Sequence, residues 1–255
     1  MSGHSPVARG GVVVDLSDRP TGGTMTTAPA EAAPAPDPEA RGLRLVVVLL
    51  VLTVVSGLID AVSYLGLGRV FTANMTGNVV VLGFAAAGAP GFSVSHTATS
   101  LVCFLLGAAV GGRVAAHAGS GSRRRWARLT LAAEAVLVGI SAAVAFAWPD
   151  TTGTRYALIA LTAFAMGLRN ATVRRLGVAD LTTTVLTMTL TGLASESRLG
   201  DGTGRRSPRR TASVIAMLAG ACLGAWLVLH HGLGIPLLIA AAASGVLALV
   251  ASGRE

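Results

Sequence analysis

An acid inside an apolar run is the first residue of this chain that could do chemistry. Asp60 lies in VVVLLVLTVVSGLIDAVSYLGLG. A carboxylate at membrane depth costs at least ~2.5 kcal/mol on insertion scales, so such groups are usually paired or lining a cavity. Asp60 could bind a cation, carry a proton, or accept hydrogen bonds from substrate amines or hydroxyls. The structural alternative is a hydrogen bond to Asn74, Thr76 or Asn78. The polar cluster Thr72, Asn74, Thr76, Gly77 and Asn78 follows within 18 residues of Asp60 and opens a second apolar run. Thr and Asn favour N-caps, and a half-helix N-terminus offers free N–H groups to an anion or a carbonyl. Gly77 would let another backbone approach closely. The competing reading is interhelical bonding by Thr and Asn, worth ~0.6 kcal/mol per bond on average.

A second polar set sits in the other half of the chain. Asn170 stands as the neutral counterpart of Asp60, and Thr183 and Thr187 as counterparts of Thr72 and Thr76. These can line a path but cannot relay a proton unaided. Arg169 is a candidate charge partner for Asp60 or for an anionic substrate. The simpler expectation is that it snorkels to the cytoplasmic surface. Glu134 is expected to pair locally with Arg128 near the start of its helix. No metal-spaced His/Cys set, phosphate-binding glycine loop or nucleophile motif is present, so no metal, cofactor or enzymatic activity is expected.

The elements that must position these residues are membrane helices. The chain has 255 residues, 52% hydrophobic and only 13% charged, against about 25% charged in a soluble domain. Several apolar runs of ~17–23 residues match the ~20 needed to cross a bilayer. Residues 1–42 are polar and Pro/Ala-rich, cannot bury enough apolar surface to fold alone, and form a disordered tail. Val12-Val13-Val14 is too short for a signal-peptide core, and Met25 is an alternative candidate start. Apolar segments follow at about 43–67, 76–89, 97–116, 129–148, 156–173, 181–194, 212–229 and 235–251. Cys103 and Cys222 fall within them and are expected as buried packing residues.

The transmembrane domain, residues 43–251, shows an internal repeat, with repeat 1 at about 43–148 and repeat 2 at about 156–251. Gly57-Leu58-Ile59-Asp60-Ala61 matches Gly167-Leu168-Arg169-Asn170-Ala171. Thr72, Met75, Thr76 and Asn78 fall on Thr183, Leu186, Thr187 and Thr189. Gly107-Ala108 with Gly111 falls on Gly220-Ala221 with Gly224. Charge then decides orientation, because cytoplasmic loops collect Arg and Lys. If all eight segments span, the Arg123–Arg128 and Arg205–Arg210 regions lie on opposite sides. If the short second and sixth segments are re-entrant, both become cytoplasmic and only Arg69 and Arg155 fall outside. The expected fold is therefore an all-α integral membrane protein. It has about six transmembrane helices plus two short broken or re-entrant segments, arranged as an inverted repeat with both termini cytoplasmic. About 14 helical residues reach only ~21 Å of a ~30 Å hydrocarbon core, which fits the two short segments.

The paired stretches SGLIDAVSYLGLGRVFTANMTGNVVVLG and MGLRNATVRRLGVADLTTTVLTMTLTGLA resemble the YoaK-like family of bacterial polytopic membrane proteins. The resemblance covers about Leu43 to Ala251 and implies an inner-membrane location without a substrate. Its motif positions fall on Asp60, Thr76, Gly77, Asn78 and Asn170. It also implies Gln in many members where this chain has Arg169.

The net charge of +8 comes with no nucleic-acid-binding module. Its arginines are expected at anionic lipid headgroups instead. The favoured function is a secondary transporter or channel for a small solute, acting at Asp60 and the Thr76-Gly77-Asn78 cluster. The alternative is a non-transporting membrane scaffold, sensor or accessory subunit. Homo-oligomerisation is left open.

Overall fold

The computed structural model describes residues 38–117, 123–149, 151–176, 186–197, 202 and 207–250. They form eight α-helices: α1 (Pro38–Gly66), α2 (Met75–Ala86), α3 (Val94–His117), α4 (Arg123–Ala147), α5 (Thr152–Leu176), α6 (Leu186–Ser195), α7 (Ser207–His231) and α8 (Gly234–Val250). No strand occurs among the described residues. Five helices are long and apolar enough to cross a membrane, namely α1, α3, α4, α5 and α7, and α8 is a shorter apolar helix. The chain is an all-α, multi-pass membrane protein.

Helices run past the apolar segments where arginine begins. α4 starts at Arg123 and α5 continues through Arg174 and Arg175. Arg is a good helix former, and its head can reach the interface while the backbone stays helical. Hydropathy marks the bilayer core, not the helix end. α2 stops three residues before the expected 89, because Gly88 takes φ 80° just ahead of Pro90.

Glycine faces determine which helices touch. A Cβ on Gly107 of α3 would lie 2.1 Å from the Phe164 carbonyl oxygen of α5, and one on Gly167 of α5 would lie 2.1 Å from that of Phe104. On the other side, a Cβ on Gly220 of α7 would lie 2.0 Å from the Val54 oxygen of α1, and one on Gly57 would lie 2.4 Å from the Met217 oxygen. Small residues thus bring backbones into direct contact, as membrane helix pairs favour. The same glycines carry the sequence matches, and each pair of matched glycines meets matched partners.

These contacts also give directions. Val54 faces Gly220 and Leu58 faces Gly224, so α1 and α7 run parallel. Phe164 faces Gly107 and Leu168 faces Gly111, so α3 and α5 run parallel. Phe146 meets Gly234, Gly139 meets Ala241 and Gly245 meets Ala135, so α4 and α8 are antiparallel. Short turns make α4/α5 and α7/α8 antiparallel hairpins. Chained together, these relations set α1, α4 and α7 in one direction and α3, α5 and α8 in the other. α1 and α3 are therefore opposed although α2 lies between them, and so are α5 and α7 although α6 lies between them. α2 packs on α3, and α6 on α7.

The core lies among α1, α4, α5 and α8. Leu58, Ile59 and Val62 meet Val138 and Ala142, Leu158, Ile159 and Met166, and Leu237 and Ala240. α3 and α7 are peripheral, with only 22% of each apolar window buried against 67% for α1 and 56% for α5. Their outward residues, including Leu105, Leu106, Leu218 and Leu229, are exposed apolar side chains that suit lipid. Cys222 joins this outward face and Cys103 is half-buried. The expectation of two buried thiols therefore fails for Cys222, which lies off the α1 contact that Gly220 and Gly224 make.

Candidate functional site

Two polar centres interrupt the apolar core. The first surrounds the break between α1 and α2. α1 ends at Gly66, and the chain turns through Gly68 (φ 93°) and Arg69 (φ 60°). A non-glycine residue at positive φ is uncommon. Here the Arg69 guanidinium lies over the Phe92 ring, 5.5 Å from its centroid. The turn sends residues 70–74 back toward α1 as non-helical backbone. Its N–H groups need acceptors, because an unpaired buried amide is costly. Asp60 supplies one. Its Oδ1 accepts from the backbone N–H of Ala73 at 2.8 Å and of Thr72 at 3.2 Å. Asp60 is 5% exposed, and its Oδ2 and the Thr72 hydroxyl are buried without a partner.

Asn78 holds the same turn from the other side. Its Oδ1 accepts from the Phe71 N–H at 2.8 Å, and its Nδ2 donates to the Phe71 carbonyl at 2.6 Å and to Ser100 Oγ at 3.0 Å. Ser100 Oγ in turn donates to the Phe71 carbonyl at 2.6 Å. Asn78 is wholly buried and fully bonded, so it acts as a staple between the turn, α2 and α3. Asn74 caps α2, accepting from the Gly77 N–H at 3.3 Å, and is itself exposed. The close neighbour of Gly77 is the Phe71 ring, 2.7 Å from where a Cβ would stand, and not a second backbone. Phe71 stacks on Tyr64 at 4.9 Å.

Of the expected cluster, the structure brings Asp60 and Thr72 together and places Asn78 on the far side of the same turn. Thr76 is exposed on α2 and joins none of them. In the second half, Asn170 is partly buried and its Nδ2 donates to the Met166 carbonyl at 2.8 Å. Thr187 is exposed, and its carbonyl accepts from Thr191 Oγ1 at 2.9 Å. Thr183 lies outside the described residues. Thr189, the match of Asn78, is likewise buried.

The second centre was not expected from sequence. Arg169 is 3% exposed and does not snorkel. Its Nη1 donates to Glu134 Oε1 at 3.0 Å, and its Nη2 donates to Ser56 Oγ. Ser244 Oγ donates to the same Glu134 oxygen at 2.9 Å, and Glu134 Oε2 is buried without a partner. Glu134 therefore pairs with Arg169 and not with Arg128, which is exposed. The α4/α5 hairpin explains this, because it folds Arg169 back to the level of Glu134. Four helices contribute: Ser56 from α1, Glu134 from α4, Arg169 from α5 and Ser244 from α8. One signal was available, since an acid well inside an apolar run asks for a buried partner. Ser56 and Ser244 carry no such signal.

No solved structure matches the chain. The "UPF0700 transmembrane protein YoaK" of Bacillus subtilis (strain 168) is 32% identical over 148 residues. That match covers 58% of this chain and 65% of the relative, slightly under two thirds of its length. The family model described as "Protein of unknown function (DUF1275)" matches residues 48–250. That span includes every residue of the two polar centres, and the chain belongs to this family of YoaK-like membrane proteins.

Proposed function

We propose that this protein is a secondary transporter or channel for a small solute in a bacterial plasma membrane, built from two halves of opposite orientation. Six helices span and α2 and α6 do not. The Asp60–Thr72 centre is the substrate or coupling-ion site. One observation carries the proposal: a buried acid in α1 binds the non-helical backbone ahead of α2 while keeping one oxygen free. Irregular backbone at membrane depth is tolerated only when it is buried in protein or lines a water-filled cavity. Broken helices meeting at the interface of inverted halves are a transporter arrangement.

The helix directions support the same reading. With eight full spans, α4 and α8 would be parallel, whereas they are antiparallel. In the six-span arrangement Arg113, Arg125, Arg128, Arg174, Arg175, Arg209 and Arg210 gather on one side and Arg69 and Arg155 on the other, as the charge rule favours for a cytoplasmic face. Both termini are then cytoplasmic, and the exposed arginines meet anionic headgroups.

The test is a thermal-shift screen of the purified protein against pools of small metabolites, since a ligand of the native state raises apparent stability. Uptake of each hit into proteoliposomes is then measured. Transport predicts a hit whose flux is lost in Asp60→Asn while the variant stays inserted and monodisperse. Silence across chemically diverse pools, with Asp60→Asn behaving as wild type, favours a scaffold or accessory subunit.

A further inference from the structure

Among the described residues the buried charged side chains are Asp60, Glu134, Arg169 and Arg210. Arg210 pairs with Glu196 at 2.7 Å, tying α7 to the end of α6. The other three are linked through α1. Arg169 binds Glu134 directly and also binds Ser56. Ser56 precedes Asp60 by one helical turn of α1, ~6 Å along the axis. The bond to Ser56 therefore holds the guanidinium about one helical turn from Asp60 along α1. Among the described residues no other charged group on the packed elements is buried, Arg210 apart. α2 and α8 carry none. Those of α3 are half-buried or exposed, and those of α7, Arg210 apart, are exposed.

The count of charges is odd. With every group ionised, two carboxylates and one guanidinium leave a net negative charge in a core where an uncompensated charge is among the costliest features. One proton neutralises the set. Each acid also has one oxygen accepting two or more hydrogen bonds and one buried oxygen with none, Asp60 Oδ2 and Glu134 Oε2. Each acid therefore offers a place for a proton that displaces no existing bond.

We propose that Asp60, Glu134 and Arg169 form a proton-exchange site in which one guanidinium serves two carboxylates that share a single exchangeable proton. In the arrangement seen, Arg169 neutralises Glu134 and the proton resides on Asp60 Oδ2. In the alternative arrangement the proton resides on Glu134 Oε2, and Arg169 turns from Glu134 toward Asp60. Loading forms an O–H bond at the carboxyl oxygen as an O–H bond of hydronium breaks and leaves water. Release is the reverse, and no electrons are transferred. This deepens the transport proposal by naming a proton as the coupled ion, and it rests on that proposal only for the coupling.

The test needs no flux, so it can fail independently of transport. Infrared difference spectra against pH are recorded for the protein in lipid nanodiscs, following the carboxylic-acid C=O stretch. Wild type is expected to show one buried protonated carboxyl that is lost as pH rises. Asp60→Asn and Glu134→Gln should each abolish it, because the remaining acid is neutralised by Arg169. Arg169→Gln should double it, because both acids must then be protonated. Arg169→Lys should leave it unchanged and supplies the charge-retaining variant should Arg169→Gln misfold. A band that survives Glu134→Gln at full intensity makes Asp60 an independent acid and overturns the shared proton. A wild-type spectrum with no titrating buried carboxyl, or a band unchanged in Arg169→Gln, overturns it as well.

Discussion

Gly220→Ala should separate α1 from α7 and destabilise the protein. The added Cβ would lie 2.0 Å from the Val54 oxygen and 2.9 Å from the Val54 Cα. Both obstacles are helical backbone, so no side chain can rotate away. Relief to the ~3.4 Å of ordinary contact requires the helices to part by about 1.4 Å, the difference from the 2.0 Å found. Overpacking of this kind costs ~1–3 kcal/mol, and the backbone collision places it near the upper end. Gly107→Ala meets the Phe164 oxygen at 2.1 Å in the matched position and should cost about the same. Gly112→Ala is the control. It lies one residue from Gly111 on α3, with nothing within 4 Å, and should be neutral or gain up to ~1 kcal/mol from helix propensity. The assay is unfolding in mixed micelles by SDS titration, followed by circular dichroism. A Gly220→Ala variant as stable as Gly112→Ala would refute the close α1–α7 packing.

Three further outcomes follow. Asn78→Ala should leave the Phe71 N–H without an acceptor, while its carbonyl keeps Ser100, and cost ~1–3 kcal/mol for the buried amide left unpaired, with faster hydrogen exchange confined to residues 70–74. Ser244→Ala should cost ~1 kcal/mol, one hydrogen bond to Glu134, whereas Glu134→Ala should cost more, ~1.5–3 kcal/mol, because the charged hydrogen bond from Arg169 is lost; SDS titration separates the two. Glu196→Gln should loosen the end of α6 from α7 by weakening its pair with Arg210, seen as faster exchange in residues 192–197 with the cores of α1 and α5 unchanged.

Architecture was largely legible in the sequence, because apolar run length reports the bilayer directly. The segments at 43–67 and 97–116 correspond to α1 and α3. The matched glycines Gly57/Gly167 and Gly107/Gly220 were visible as a sequence pattern before their contacts were known. Asp60 stood out because it is an acid in hydrocarbon. What it binds did not, since backbone N–H groups of a turn carry no side-chain signature. The Arg169–Glu134 pair was missed for a related reason. The two residues are 35 apart in sequence and meet only because α4 and α5 form a hairpin. Each had a nearer and simpler explanation in Arg128 or in the interface. Thr76 was grouped with Asn78 by proximity, yet two residues along a helix turn a side chain through about 200°, which sends one inward and the other out.

The central claim is that the two halves run oppositely through the bilayer. With Cys103 and Cys222 replaced, single cysteines at Arg125 and Arg209 are probed in intact cells with a membrane-impermeant maleimide, with Arg69 as the reference for the outer face. Protection of both Arg125 and Arg209, with labelling at Arg69, is the predicted result. Labelling at Arg125 with protection at Arg209 would put the starts of α4 and α7 on opposite sides, and the six-span inverted arrangement would be wrong.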